Sequence, residues 1–135
     1  MSRGLGDVYK RQPDTSLEKF MDSLQQRARI SREWNKFFDQ HPIILCPITG
    51  DIPFPDLKDL ESEESFDLVF DSMLPQIAPP YMGLPGLSFA TSQTKQKIPL
   101  GVQFISRKFR EDLLLNVAYD LENYYPKIKP ALPSF

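Results

Sequence analysis

From Leu17 onward, Phe20, Met21, Leu24, Ala28, Trp34, Phe37 and Phe38 recur at spacings of three and four, the period of one helix face. Thr15 and Glu18 stand at capping-box spacing ahead of this run. His41-Pro42 closes it, because proline disfavours helical backbone in the residue before it. The pattern predicts a helix over 16–39. Ile43-Ile44-Leu45-Cys46 is a continuous apolar run between prolines and predicts a strand covered on both faces, the kind found inside a parallel or mixed sheet. Residues 49–61 carry Gly50, Pro53, Pro55 and several acids without periodicity and read as a loop.

Ser62, followed by Glu63 and Glu64, supplies a cap and negative charge for a second helix start. Phe66, Val69, Phe70, Met73 and Ile77 form its apolar stripe, and Pro79-Pro80 is expected to stop it. Gly83-Leu84-Pro85-Gly86 reads as a turn. Leu87–Ala90 and Leu100–Ile105 then read as two strands of a hairpin across the polar stretch Thr91–Lys97. A last helix over 110–123 shows Leu113, Leu114, Val117, Ala118 and Leu121 on one side, and a Pro-rich tail, Pro126–Phe135, is expected to lie extended. Helices alternating with apolar strands make the expected class α/β.

A length of 135 residues holds one domain with one core. With 16 basic against 18 acidic residues, a formal charge of −2 and no Lys/Arg stripe, neither nucleic acid nor an anionic membrane surface is an expected partner. No apolar run approaches the roughly 20 residues of a membrane span, and no signal-peptide core is present. One cysteine and one histidine exclude a disulfide framework, a multi-cysteine zinc site and most Ser-His or Cys-His catalysis. A reducing, cytoplasmic compartment is the expectation, with no metal and no cofactor.

The stretch Ser2–Gln12 resembles, residue for residue, one reading frame of the transposase adapter used in sequencing-library preparation. Residues 1–12 are therefore set aside as a non-native segment, and the native part is read as 13–135, cut from a longer gene on its 5′ side. Without Arg3, Lys10, Arg11 and Asp7 the balance turns more acidic.

The remaining chemistry is sparse. His41 at a helix-to-strand junction suits a capping or solvated imidazole. Cys46 inside an apolar run behaves as a small hydrophobe and lacks the electropositive, accessible setting of a reactive thiolate. The acids Asp56, Asp59, Glu61, Glu63, Glu64 and Asp67 lack the ligand alternation and central glycine of a calcium loop and suit a solvated face. Gln103, a primary amide within an apolar strand, needs hydrogen-bond partners and is expected to brace a neighbouring loop. Outside the adapter-like segment the glycines are Gly50, Gly83, Gly86 and Gly101, too scattered for a phosphate loop.

Gly83-Leu84-Pro85-Gly86-Leu87-Ser88-Phe89-Ala90, then Ile98-Pro99-Leu100-Gly101-Val102-Gln103-Phe104-Ile105, then Glu111–Leu115 and Leu121-Glu122, resemble the C-terminal end of the amidase signature family. That family shows a G-L-P-A-L-S strand, a P-x-G-V-Q strand and an apolar closing helix ending in L-E. Ile44–Thr49 is similar to its strand running into a P-x-T loop. The resemblance implies the C-terminal part of a mixed-sheet fold flanked by helices, incomplete here. It implies hydrolysis of carboxamide C–N bonds, or ammonia release in the amidotransferase branch, by a Ser-Ser-Lys triad with a neutral lysine and a backbone oxyanion hole. Those parts lie upstream in the family, so no catalytic residue is carried over to this chain.

What the resemblance carries over is pocket lining: Ile48 and Thr49 after the P-x-T strand, and Gln76, Ile77 and Tyr81 at the end of the helix before G-L-P. The implied partners are a small amide substrate and the missing N-terminal part of the same domain, with this chain alone inactive. Pro79-Pro80-Tyr81 stands where the family often has Asn shortly before the glycine, which leaves the substrate class open. Two other readings remain: a free-standing, non-catalytic α/β binding or scaffold domain, and a catalytically dead amidase-like partner subunit.

Overall fold

The computed structural model describes residues 14–125. The adapter-like segment 1–12 and the tail Pro126–Phe135 lie outside the described residues. The elements run α1 (Leu17–Gln40), β1 (Ile43–Pro47), a 3-10 turn (Lys58–Leu60), α2 (Glu63–Ser72), α3 (Leu74–Met82), β2 (Gly86–Gln93), β3 (Pro99–Ser106) and α4 (Glu111–Glu122). This is a mixed α/β fold in which helices flank a small sheet.

The sheet has the order β1-β3-β2, and both pairings are antiparallel. β2 and β3 form the expected hairpin, longer than the apolar cores of the two strands, with a register shift between Ala90 and Ser92. β1 departs from expectation: it lies at an edge among the described residues, and Leu45 is 61% exposed, so it is not covered on both faces. An unbroken apolar run states that a strand can be covered, not which neighbours cover it.

Register separates the two faces. Cys46, Gln103 and Ser88 lie opposite one another across the three strands, and so on one face; Leu45, Phe104 and Leu87 form the adjacent row on the other. α4 packs on β2 and β3. Phe89, which alternates with Ser88, meets Tyr125 just beyond α4 edge-on at 5.6 Å, so α4 covers the Phe104 face. Its Leu114 is buried, as are Phe104, Ile105, Phe38 and Met82.

α1 spans the expected residues, but its cap is Ser16, whose hydroxyl accepts from the Lys19 amide at 3.2 Å, one position later than the Thr15 cap read from spacing. His41 ends α1 by donating its backbone N–H to Phe37, and its ring lies 4.7 Å from that of Phe37. Arg107, at the end of β3, reaches back to the Asn35 carbonyl and the Asp39 carboxylate and staples the last turns of α1 to the sheet. Ser106, fully buried, donates its hydroxyl to the Pro42 carbonyl at 3.0 Å and its N–H to Pro85. One residue thus ties the entrance of β1 to the entrance of β2.

Ser62 caps α2 as expected. The single helix expected beyond it is two. The break falls at Met73, because Pro75 has no N–H to offer the Asp71 carbonyl and suits the first turn of a new helix instead. Pro79 and Pro80, expected to stop the helix, sit inside α3. The stop is Gly83, whose φ of 69° and ψ of 35° are the left-handed values glycine adopts freely; its N–H and that of Leu84 close on the Pro80 and Pro79 carbonyls.

α3 survives its prolines through the sheet. Pro79 cannot donate to the Pro75 carbonyl, and the Gln103 side-chain amide on β3 takes that place at 2.8 Å. The expected brace is therefore real, and what it braces is a helix rather than a loop. A synthetic peptide of residues 62–83 should show helical signal from 63–72 only, by residue-resolved chemical shifts; full helicity across 74–82 would refute the dependence of α3 on Gln103.

Candidate functional site

The Gln103 face of the sheet and α3 enclose a cleft of about 300 Å³, at the small end of ligand-sized pockets. Gln76, Pro79 and Pro80 form its helix wall, Gly86, Ser88 and Gln103 its sheet wall, and Ile48 closes one end. The period of each element sets this arrangement. Gly86 and Ser88 are two apart on β2, and Gln103 is the direct partner of Ser88 on β3.

Beyond Ile48 lies a second, larger cleft of about 520 Å³, with Thr49, Asp51 and Ile52 on the loop after β1 and Leu100 and Gly101 on β3. The Thr49 hydroxyl donates to the Asp51 carbonyl at 2.5 Å, and the Asp51 carboxylate accepts from the Ile52 N–H at 2.7 Å. These bonds hold the loop in a tight turn. Ile48 is the partition between the two clefts, and its Cδ1 sits 2.9 Å from where a Cβ on Gly101 would stand.

The structure brings Ile48 and Gln76 together in the first cleft and Ile48 and Thr49 together in the second. Ile77 is half-buried on α3, one residue round the helix from Gln76. Tyr81 faces α1: its hydroxyl donates to the Ser23 carbonyl at 3.3 Å, and the Arg27 guanidinium lies 5.8 Å from its ring centre. Ser88, Gly86 and Gln103 line the cleft although the sequence reading gave them no site role. Their alternation was legible, but the register that brings β2 and β3 onto one face was not.

Chemically, the first cleft is neutral. No ionisable side chain is among its lining residues, so it can hold and orient a polar, uncharged group but offers no general acid or base. Gln103 Nε2 is committed to Pro75 and lies 3.6 Å from Cys46 Sγ. Among the described residues, no hydrogen bond joins a serine hydroxyl to a lysine ammonium, and no cluster of three or more His, Cys, Asp or Glu is placed to hold a metal. No helix among them is long and apolar enough to cross a membrane.

The loop acids are dispersed. Glu61 pairs with Lys58 at 2.5 Å, and Glu63 and Glu64 sit in the first turn of α2. The backbone N–H of Glu64, and then the Ser62 side chain, hold the Glu64 carboxyl below the usual carboxylate range. At the start of α4, hydrogen bonds from Arg110 do the same for Asp112. Both are helix-end electrostatics, remote from the clefts.

The sequence model of the family described as Amidase matches residues 7–115. An indoleacetamide hydrolase of Bradyrhizobium diazoefficiens is 31% identical over 108 residues, which is 79% of this chain and 20% of that protein. A glutamyl-tRNA(Gln) amidotransferase subunit of Gloeothece citriformis is 30% identical over 135 residues, 98% of this chain and 25% of that protein. Among solved structures, 6-aminohexanoate cyclic dimer hydrolase in complex with substrate matches with a TM-score of 0.59 at 23% identity, covering 90% of this chain and 27% of that one. The chain thus spans a fifth to a quarter of the length of these relatives.

Proposed function

Because this chain belongs to the amidase family, we propose that it is the C-terminal wall of an amidase, the part that shapes the substrate pocket while the bond-breaking groups lie elsewhere in the longer protein. The observation that carries this reading is the pairing of a family match over most of the chain with a span of only 20% of the first relative. The activity proposed for the whole protein is hydrolysis of a carboxamide C–N bond through a Ser-Ser-Lys triad. The neutral cleft supports a division of labour: its walls orient an uncharged amide, and the nucleophile comes from outside.

In this reading Ile48, Thr49 and Gln76 border the substrate directly. Ile77 backs the helix wall, and Tyr81 sets the angle of α3 against α1 through Ser23 and Arg27. The exposed apolar surface supports an absent remainder. Leu17, Phe20, Met21 and Leu24 line one face of α1 and are exposed, as is Leu45 on the edge strand β1.

The test compares the 135-residue chain with the product of the extended reading frame. The longer protein should hydrolyse simple carboxamides and be labelled at serine by a fluorophosphonate, whereas this chain alone should do neither. Labelling of this chain alone would overturn the proposal, and so would a longer protein that neither labels nor turns over.

A further inference from the structure

Resting on the amidase reading, we propose that Ile48 is a length gate: the two clefts are consecutive stretches of one groove along β3, and the Ile48 side chain sets how long an unbranched apolar chain a substrate can lay in it. Ile48 lines both clefts. Its placement follows from the sheet register. β1 and β3 pair antiparallel as far as Pro47 opposite Val102, so Ile48, the next residue, falls across from Gly101. Gly101 in turn pairs with Ala90 on β2. The row Ile48, Gly101, Ala90 therefore crosses the same face as the row Cys46, Gln103, Ser88, displaced by two residues, about 6.8 Å along the strands.

The Ile48 row holds one long side chain. Gly101 has none and Ala90 has a methyl, so at this level the sheet's contribution to the barrier between the clefts is Ile48 alone. Glycine at 101 permits it. Ile48 Cδ1 lies 2.9 Å from the position a Cβ on Gly101 would take, so the half-buried isoleucine folds over the strand into space that any other residue would fill.

The two stretches differ in chemistry. Gln76, Ser88 and Gln103 give the first its polar character, whereas Pro47, Ile52, Pro53, Pro99 and Leu100 make the wall of the second mostly apolar. The polar members of the second, Thr49 and Asp51, bond within their own loop. A substrate with its polar end beside Gln103 and an apolar chain running toward Pro99 matches this gradient, and each methylene that leaves water strengthens binding. With isoleucine at 48 the chain stops at the Gly101 row. Without it the second cleft becomes the continuation of the first.

The test titrates the isotope-labelled 135-residue chain and its Ile48→Val and Ile48→Ala variants with butanamide, hexanamide and octanamide. Binding is read by NMR at the Gly86 and Ser88 amides in the first cleft and at Leu100 and Gly101 in the second. In the unaltered chain affinity should rise little across the series, and the ligand-induced shifts should stay at Gly86 and Ser88. In Ile48→Ala affinity should rise about two- to fourfold per added methylene, about tenfold or more from butanamide to octanamide, with shifts extending to Leu100 and Gly101. Ile48→Val removes the Cδ1 that overlies Gly101 at little cost to the fold; it should fall between the two and decides the matter if the alanine variant does not fold. The same length profile in every form, shifts at Leu100 and Gly101 in the unaltered chain, or no response in either cleft overturns the gate. In the longer protein Ile48→Ala should shift kcat/KM toward octanamide by a similar factor. Hydrolysis with an unchanged length preference would overturn the gate and leave the amidase reading standing. Hydrolysis of none of the three would overturn that reading, while the binding profile of the 135-residue chain still decides the gate.

Discussion

Phe104→Ala should cost about 3–5 kcal/mol, the range for truncating a buried phenylalanine. Phe104 sits in the middle of the central strand, is 8% exposed, and lies directly opposite Leu45 on one side and Leu87 on the other. Removing the ring takes the shared contact from all three strands at once and leaves a void on the face α4 covers. Small domains hold only about 5–15 kcal/mol in total, and this one buries few apolar side chains completely. The loss should therefore melt the sheet rather than loosen it. Amide hydrogen exchange at positions 45, 87 and 104 should rise to the rates of an unfolded chain. Retained protection in the variant would show that Phe104 is not the centre of the core.

Gly101→Val carries the second-largest expected effect and reaches the candidate site directly. A Cβ at Gly101 would stand 2.9 Å from Ile48 Cδ1 and 3.0 Å from the Phe89 carbonyl oxygen. The isoleucine end can swing aside, but the carbonyl belongs to the paired strand and cannot move without disturbing the ladder. Overpacking of this kind costs about 1–3 kcal/mol. It should also displace Ile48, the partition between the two clefts. The measurement is the urea midpoint of Gly101→Val with and without Ile48→Ala. Relief of the Cδ1 contact should restore part of the loss and the carbonyl contact should retain the rest, a coupling expected of neighbouring residues. Full restoration, or none, would contradict the geometry.

These two positions show what periodicity can and cannot reveal. The apolar stripe of α1, the hairpin of β2 and β3, and α4 follow from local spacing, because the period marks the type of element whether or not its apolar face is covered; of the α1 stripe only Phe38 is buried. The edge placement of β1 depends on partners far away in sequence. The interior prolines of α3 defeat a local rule for a non-local reason: Gln103, 28 residues on from Pro75, supplies the missing donor.

The candidate site was legible to the same degree. Motif resemblance points to Ile48, Thr49 and Gln76, and they line the two clefts. Tyr81 lies five residues along α3 from Gln76, and at 100° per residue that rotation turns it toward α1. Ser88 and Gly86 became site residues only once the hairpin register placed them beside Gln103.

The proline pair of α3 also imposes an order in time. A helix that cannot complete its own ladder has no nucleus of its own, whereas the β2–β3 hairpin closes over a short loop and pairs locally. Gln103 must already be in place on β3 before Pro75 has a donor to meet. On the ribosome, residues 74–82 emerge before 99–106, so the Pro75 carbonyl meets its donor only once the downstream strand has been made.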